Sequence, residues 1–323
     1  MATTTYRTDR GDEHLLEKPS KSEWGLVWER LRRKKLAMIS LVVIIAIYLA
    51  GIFAPVLATH SYREQDLDRR YEGPSRDHWF GTDILGRDIY SRVLYSIRTT
   101  VIVTTAVVLS GSLIIGNTLG LLAGYRGGWV DGLIMRVGDT FASLPGLVML
   151  ILINATLGER WEDFMRSLEA NTPISGLVAS GFHSYFLVFT AMSLFFWVGT
   201  ARIIRAQVLQ LRERDFVMAA ESLGANTAQI ILRHLLPNVS FLIILSISAT
   251  LGGIAGSEIV LSWFGVGVQP PAASFGQMIY EGSGTRTFQA HPHLLLVPGA
   301  FVTLLLFAFA LLGDALNDAM RGR

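Results

Sequence analysis

The sequence contains no cysteine among its 323 residues, which excludes disulfide bonds, thiolate metal sites and cysteine nucleophiles. It also contains no Gly-Lys pair, so the phosphate-binding pattern G-x-x-x-x-G-K-[ST] is missing. Neither His-Glu-x-x-His nor Gly-x-Ser-x-Gly occurs, so the common signatures of zinc hydrolases and serine hydrolases are missing as well. Chemistry carried out by the chain itself therefore has little support.

Charge is also scarce, because Asp, Glu, Lys and Arg make up only 17% of the chain, against roughly 25% in ordinary globular domains. Apolar residues collect instead in six long runs, at 36–58, 99–124, 141–157, 185–201, 241–264 and 294–312. A membrane-spanning helix needs about 20 such residues, and about 17 is the lower limit. The sequence predicts an all-α, polytopic membrane protein with six transmembrane helices, of which the third and fourth have the weakest signals.

The basic residues predict how these helices are oriented. Residues 1–35 contain nine Lys or Arg, and the run Arg30 to Lys35 directly precedes the first span. By the positive-inside rule this end stays in the cytoplasm, so six spans place both termini and the loop 202–238 there. The segment 59–98 opposes this prediction, since it carries seven Arg along with seven acidic residues. We give the basic cluster more weight, because the first helix usually dominates orientation.

These boundaries divide the chain into five predicted segments. They are a cytoplasmic tail with an interfacial helix at 1–35, a first transmembrane helix at 36–58, an extracytoplasmic segment at 59–98, a transmembrane core at 99–316 and a cytoplasmic tail at 317–323. Within the first segment, Trp24, Val27, Trp28 and Leu31 have helical spacing, which favours a helix lying on anionic membrane lipid. A solvated helix beside the membrane is the alternative.

A charged, helix-forming insert at 212–238 separates the fourth and fifth apolar runs. Ala219, Ala220 and Leu223 could dock in an apolar groove, and Gly224 should end the first helix, because glycine tolerates the left-handed conformation after a helix. Asn226 followed by Gln229 then predicts a capping box that starts a second helix. We expect Pro237 to end that helix. The insert is thus predicted to form a helix–turn–helix elbow on the membrane surface.

Two polar residues inside the apolar runs are candidates for a role in the pore. Glu258 lies in the fifth span, where an ionisable group is a functional candidate by default. Glu258 could line or gate the pore. The alternative is a structural hydrogen bond at a helix interface, which three nearby glycines would allow to form closely. Asn117 in the second span fits packing better than substrate contact.

The other polar clusters have plainer interpretations. Asp83, Arg87 and Asp88 predict a salt-bridged cap rather than an acid/base pair. His291 and His293 are too few ligands for a metal site, so no metal is expected. The basic N-terminus is explained by membrane charge, which leaves no support for nucleic-acid binding.

The insert resembles the EAA loop of importer-type ABC transporter permeases. In that loop Glu-Ala-Ala is followed by a glycine and ends in Leu-Pro; Ala219, Ala220, Gly224 and Leu236-Pro237 match. Met218 stands where the family has its glutamate. The resemblance implies that the loop receives the push of the ATPase subunit, with Glu221 or Asp215 replacing the missing acid. The implied coupling residues are Asp215, Met218, Ala219, Ala220, Glu221, Gly224 and Pro237.

Further motifs are similar to dipeptide, oligopeptide and nickel permeases, and the resemblance covers roughly residues 25–320. They are His78-Trp79-Phe80-Gly81-Thr82-Asp83, Gly86-Arg87-Asp88, Gly124-Tyr125-Arg126-Gly127-Gly128-Trp129, Phe264-Gly265-Val266-Gly267 and Leu312-Gly313-Asp314. The segment 158–181 is longer than the family norm, and the sequence assigns it no role.

The resemblance implies the "C" permease subunit of a type I ABC importer in a bacterial inner membrane. Its implied partners are a second, homologous permease, two ABC ATPase subunits or domains and an extracytoplasmic substrate-binding protein. The chain itself would hold no cofactor, because the ATPase partners bind ATP and Mg²⁺. The substrate remains open among dipeptides, oligopeptides, nickel complexes and sugars. A self-sufficient secondary transporter or channel is the alternative class, although mid-span charges and paired broken helices are mostly absent.

Overall fold

The computed structural model describes residues 23–173 and 175–321, and helices dominate this part of the chain. In chain order they are α1 (Glu23–Arg33), α2 (Lys35–Ile52), α3 (Ala54–Leu57), α4 (Ile89–Arg126), α5 (Gly128–Ser143), α6 (Gly146–Asn171), α7 (Phe182–Leu211), α8 (Asp215–Ser222), α9 (Thr227–Trp263), α10 (Phe275–Gly282), α11 (Thr285–Ala290) and α12 (His293–Arg321). Among the described residues the only β pairing is an isolated bridge between Thr82 and Asp88.

Five of the described helices, α2, α4, α7, α9 and α12, are long and apolar enough to cross a membrane. The pair α5 and α6 adds a sixth span if the two are counted together, although they meet at an angle of 84°. Helix α2 exposes Leu36, Ile39, Val42 and Ile45, each by 49% or more, as expected for side chains that face lipid. The predicted all-α membrane fold is confirmed.

The second span begins ten residues earlier than the sequence predicts, at Ile89 rather than at residue 99. Asp88 caps this helix, because its side chain accepts a hydrogen bond from the amide of Ser91. The prediction stopped short because Arg92 and Arg98 interrupt the apolar run. Arg92 is nevertheless only 2% exposed. Its charge is neutralised inside the protein, so it does not end the helix.

The third apolar run, at 141–157, does not form one straight helix. Helix α5 ends at Ser143 and α6 begins at Gly146, with Pro145 between them. A proline disfavours helical geometry in the residue before it, which accounts for the sharp change of direction. Beyond the run, α6 continues to Asn171. Most of the segment 158–181 is therefore an extension of this helix.

Helix α7 lies at the centre of the bundle and packs closely against α4. Glycines of α4 allow this approach: a Cβ at Gly116 would lie 2.9 Å from the Cβ of Thr200, and one at Gly120 would lie 2.7 Å from the carbonyl oxygen of Ala201. Small residues at such interfaces let helix backbones come together in a membrane. A larger side chain at either glycine would separate the two helices.

Pro237 does not end the second helix of the insert, contrary to the prediction. Helix α9 runs without a break from Thr227 to Trp263 and includes the whole fifth span. Within it, residues Ile230–Leu235 adopt the wider π geometry, and Pro237 follows directly in the first turn of the regular helix. The change of helical register occurs where the proline, which lacks an amide proton, would otherwise break the hydrogen-bond ladder.

The bundle has two distinct ends. At the elbow end, α1 packs on the end of α12: Arg30 donates to the carbonyl oxygen of Ala319 at 3.0 Å, and Lys34 pairs with Asp318 at 2.7 Å. Leu31 is 4% exposed in this contact, whereas Trp28 is 47% exposed; the side chains of Trp24 and Val27 lie outside the described residues, as do residues 1–22. At the loop end lie residues 59–88, α10 and the chain that follows α9.

Candidate functional site

The elbow is formed by α8, the turn 223–226 and the first turn of α9. It is seated in the protein through two buried residues of α8, Val217 (0% exposed) and Ala220 (8%). Val217 belongs to an apolar cluster with Leu121 of α4, Ile204 of α7 and Leu235 of α9. The elbow therefore touches three long helices at once. A force applied to it would reach all three.

The turn of the elbow is closed by backbone hydrogen bonds at the end of α8. The amide of Gly224 donates to the carbonyl oxygen of Glu221 at 2.9 Å, and that of Ala225 donates to Ala220 at 3.0 Å. This pair of bonds is a Schellman motif, which requires a left-handed residue, and Gly224 has φ = +84°. The predicted role of Gly224 in ending the helix is confirmed.

The start of α9 is also fixed by hydrogen bonds. The side chain of Asn226 accepts from the amide of Gln229, and the side chain of Gln229 accepts from the amide of Asn226, both at 2.9 Å. The predicted capping box is therefore present. Because the turn is closed on both sides, it joins α8 to the 37-residue α9 with little freedom to flex.

The residues predicted to dock together do not share one face of α8. Ala220 points into the bundle, Ala219 is exposed, and Leu223 is 89% exposed. Phe216 and Met218 are exposed by 40% and 48%. Phe216, Ala219 and Leu223 border a groove of about 590 Å³ at the elbow, together with Gly224 and Arg233. Exposed apolar side chains grouped in this way mark an interaction surface.

The two acidic residues suggested as replacements for the family glutamate differ in their surroundings. Glu221 accepts a hydrogen bond from the hydroxyl of Tyr125 at 2.9 Å, which ties α8 to the end of α4. Asp215 is exposed in the first turn of α8, where a carboxylate is favourable beside the helix N-terminus. Both carboxylates are exposed, and that of Glu221 already accepts a hydrogen bond within the protein.

Asn117 is buried in α4, at 4% exposed, and its amide donates to the carbonyl oxygen of Leu113 at 2.9 Å. Its Oδ1 has no hydrogen-bond partner among the described residues. With Leu121, Ile231 and Arg126 it lines an apolar cavity of about 580 Å³ beside the elbow. Asn117 therefore lies at the elbow end of the bundle, on the side where α4 and α9 meet.

Glu258 is completely buried and connects two long helices. Its carboxylate accepts a hydrogen bond from the hydroxyl of Thr100 in α4 at 2.9 Å and from that of Ser262, one turn further along α9, at 3.1 Å. Along α9, Glu258 lies roughly 45 Å from Thr227, at 1.5 Å per residue. Thr227 and Asn117 line the same cavity beside the elbow, so Glu258 and Asn117 do not share a site. Of the two roles considered for Glu258, these contacts match hydrogen bonding at a helix interface.

Replacement of Glu258 by alanine is expected to destabilise the protein by about 1–3 kcal/mol, because the hydroxyls of Thr100 and Ser262 would be left buried without an acceptor. Glu258→Gln keeps an acceptor oxygen and should cost less. Thermal denaturation of the purified protein in detergent measures both changes. Equal stability of the alanine variant and the native protein would show that the hydrogen bonds contribute nothing.

At the loop end, four charged residues form a buried network that we call the arginine clasp, defined by Asp83, Arg87, Arg92 and Glu281. Arg87 pairs with Asp83 at 2.7 Å and with Glu281 at 3.0 Å, while Arg92 contacts Asp83 and lies 2.6 Å from Glu281. The clasp joins the long loop before α4, α4 itself and α10. The predicted ion pair of Asp83 with Arg87 is confirmed, but Asp88 is not a member.

Asp88 instead belongs to a cluster with His60 and His78, whose ligand-type atoms lie within 4.8 Å of one another. One carboxylate oxygen of Asp88 lies 3.0 Å from Nδ1 of His78, and the other accepts from the amide of Ser91 at 2.7 Å. Nε2 of His78 lies 3.4 Å from the guanidinium of Arg69. The carboxylate of Asp88 is thus already engaged, and the cation of Arg69 lies beside the ring of His78. The cluster is therefore better explained as a helix cap than as a metal site.

The histidines of the sequence 291–293 do not converge on a common point. Their rings lie 6.2 Å apart at 89°, and His291 stacks on Tyr71 at 4.5 Å. They fix the loop before α4 against the start of α12. The absence of a metal remains a prediction for both histidine clusters.

Sequence reasoning missed two functional features. It did not identify Arg92 and Glu281 as partners, because they are 189 residues apart and neither stands in a recognisable pair. It also treated Leu223 as a residue that docks inward, although it is the most exposed apolar side chain of the elbow. The position of Leu223, immediately before the glycine of a helix end, was the available signal.

Comparison with known proteins agrees with this geometry. A family model described as "Binding-protein-dependent transport system inner membrane component" matches residues 116–323, and one described as "N-terminal TM domain of oligopeptide transport permease C" matches residues 22–74. The resemblance in the sequence is thereby confirmed.

Three curated relatives match almost the full length of the chain. The oligopeptide transport system permease protein OppC of Bacillus subtilis is 34% identical over 96% of this chain and 93% of its own. The dipeptide transport system permease protein DppC of Alkalihalophilus pseudofirmus is 35% identical over 93% and 90%, and the glutathione transport system permease protein GsiD of Pectobacterium atrosepticum is 32% identical over 95% and 93%. The chain therefore belongs to the family of binding-protein-dependent transport system inner membrane components and is a permease subunit of an ABC importer.

Proposed function

We propose that this permease forms half of the translocation pathway for short peptides, with ATP hydrolysed by a partner. The three relatives are named for oligopeptides, dipeptides and glutathione, which are all peptides. A second, homologous permease would supply the other half of the pathway. An extracytoplasmic binding protein would deliver the substrate. Because the chain has no phosphate-binding loop, ATP and Mg²⁺ would be held by two ATPase subunits or domains.

The observation that carries this proposal is the elbow. Leu223, Phe216 and Met218 present an exposed apolar surface on a turn that is fixed by hydrogen bonds on both sides. The surface is continuous, through Val217, with a cluster that includes three long helices. A partner gripping the elbow could therefore move the helices without bending the turn. Asp215, Ala219, Glu221 and Pro237 complete the proposed coupling region.

The proposed orientation places the elbow end in the cytoplasm. Basic residues support it, since Arg30 and Lys34 of the N-terminal cluster are fastened to the end of α12 on the same side of the bundle as the elbow. In this orientation both termini are cytoplasmic, and the arginine clasp faces the side from which a binding protein would deliver substrate. The membrane would be the inner membrane of a bacterium.

ATP binding would bring the two ATPase subunits together and carry the two elbows with them. The long helices would then shift between two packed arrangements, one open to each side of the membrane. Helix α9 extends from the elbow to the loop end, so its displacement at Thr227 would reach Glu258 and Thr100.

Affinity purification of the tagged chain from its native membrane in mild detergent, followed by mass spectrometry, tests the proposal. We expect an ATPase subunit and a second six-span permease to be recovered with it, and a binding protein in smaller amount. Recovery of the folded chain alone would contradict the proposal and favour a self-sufficient transporter.

A further inference from the structure

Two cavities of opposite charge lie on either side of one wall at the loop end. The acidic cavity, of about 550 Å³, is bordered by α6 and α7 and includes Glu159, Glu162 and His183. The basic cavity, of about 320 Å³, includes Arg63, Arg87 and Arg92. Pro270 and Pro271 border both cavities, so they form the shared wall. The α6 part of this arrangement comes from the segment for which the sequence suggested no role.

The acidic cavity has unused capacity for a cation or a hydrogen-bond donor. Glu162 pairs with Arg166 at 2.5 Å, but no ion-pair partner for Glu159 is found among the described residues. His183 is only 9% exposed, and its Nδ1 has no hydrogen-bond partner in the described part of the chain. Its Nε2 lies 3.0 Å from the hydroxyl of Ser184 and 3.9 Å from a carboxylate oxygen of Glu162. A buried polar atom without a partner is uncommon unless something else binds there.

Helix α6, which carries Glu159 and Glu162, is held rigidly against α7. The indole of Trp161 stacks on Phe186 of α7 at 5.2 Å and 13°, and its Nε1 donates to the carbonyl oxygen of His183 at 3.0 Å. These contacts fix the position of α6, the helix that carries both carboxylates, against α7. A site arranged before its ligand arrives loses less entropy on binding.

The basic cavity is lined by three arginines. The charges of Arg87 and Arg92 are already balanced by Asp83 and Glu281 in the arginine clasp. Arg63 adds a further cation and is positioned over the ring of Tyr62, 5.1 Å from its centre. No carboxylate partner of Arg63 is found among the described residues. The cavity is thus suited to an anionic group.

We propose that the two cavities form one receiving site for peptides whose two termini are both free. The terminal ammonium would lie near Glu159 in the acidic cavity, and the terminal carboxylate near Arg63 in the basic cavity, with the chain crossing the wall of Pro270 and Pro271. The two cavities share Pro270 and Pro271 in their linings, and an extended tripeptide, about 10 Å long, is the short peptide used to test the proposal. The inference rests on the proposed function, since it specifies the kind of peptide that the permease accepts.

The test is saturation-transfer NMR on the purified permease–ATPase complex in detergent, without the binding protein. The probes are trialanine, N-acetyl-trialanine and trialanine amide at millimolar concentration. We expect trialanine to bind roughly twofold to fivefold more strongly than either capped peptide, which is the range of a partly exposed ion pair. Equal transfer to all three probes would overturn the inference.

Two variants assign the ends of the peptide. Glu159→Gln should remove the discrimination against N-acetyl-trialanine, and Arg63→Gln should remove the discrimination against the amide. Asp163→Asn and Arg76→Gln are the matched controls, because each removes an exposed charge on the same segment but outside the cavities, and they should leave binding unchanged. Identical discrimination in Glu159→Gln, Arg63→Gln and the native complex would contradict the assignment.

A separate measurement distinguishes this inference from the proposed function. ATP-dependent uptake of trialanine by the complete importer in proteoliposomes tests peptide transport itself. Uptake without any difference between free and capped peptides in the NMR experiment would reject the receiving site alone. The absence of ATP-dependent uptake, although the native complex discriminates between the probes, would reject the proposed function alone.

Discussion

Replacing Leu223 by aspartate is expected to lower ATP-driven uptake by more than about tenfold while leaving the amount of folded protein in the membrane unchanged. Leu223 is 89% exposed, so its side chain contributes little to the fold. In the complete importer it would be buried against the ATPase partner, where loss of a central apolar contact typically costs about 2 kcal/mol or more. Uptake in proteoliposomes and detergent-resistant assembly with the ATPase measure the two effects.

The matched control is Ser222→Asp, which adds the same charge at the neighbouring exposed position and should retain most of the uptake. Gly224→Pro is expected to match Leu223→Asp for a different reason. Its φ of +84° is closed to proline, which is fixed near −65°, so the turn would change direction. Native uptake in both Leu223→Asp and Gly224→Pro would remove the elbow from the mechanism.

Replacing Glu281 by glutamine is expected to reduce the stability of the folded permease by about 3–5 kcal/mol, the cost of breaking a buried ion pair on one side. Arg92 is 2% exposed, and in this variant it would share the single carboxylate of Asp83 with Arg87. The loop before α4 and α10 would lose their common attachment. Thermal denaturation of the detergent-solubilised protein measures the loss, and limited proteolysis of residues 59–88 locates it.

The control for this prediction is Asp77→Asn. Asp77 lies 3.7 Å from Arg69 in an exposed pair, and removing such a pair typically costs less than about 1 kcal/mol. Similar denaturation temperatures for Glu281→Gln and Asp77→Asn would show that the clasp does not hold the loop end together.

The elbow could be predicted from the sequence because its structure is decided locally. A glycine after a helix and an Asn-x-x-Gln start both act within five residues, and the structure contains both as hydrogen-bonded motifs. Pro237 shows the limit of such reasoning. Its usual effect is to end a helix, but here a stretch of π geometry precedes it, and no local pattern indicates that stretch.

The arginine clasp could not be predicted, because its members meet only after the bundle has formed. Arg92 and Arg98 interrupt the apolar pattern, so the sequence places the start of the span at residue 99 and Arg92 outside it. In the structure Asp83 and Glu281 neutralise Arg92, and the helix continues through it. Likewise, the extension of α6 packs against α7 through Trp161 and Phe186, and hydropathy alone does not encode that packing.

Helix α9 connects the elbow to the loop end of the bundle. It begins in the capping box of the elbow and reaches Glu258, which bonds to α4 near the loop end. A continuous helix of this length covers roughly 50 Å, at 1.5 Å per residue, so a displacement at one end can reach the other. The elbow and the proposed receiving site could therefore respond to each other through one helix and the contacts along it.

The central claim is that an ATPase partner grips the elbow. Its most direct test is photo-crosslinking in native membranes from a benzophenone amino acid placed at Leu223, with Val56 as the control, since that residue is 81% exposed at the opposite end of the bundle. We expect a crosslink from position 223 to an ATP-binding subunit, and none from position 56. A folded, membrane-inserted protein that forms no such crosslink from position 223 would contradict the account.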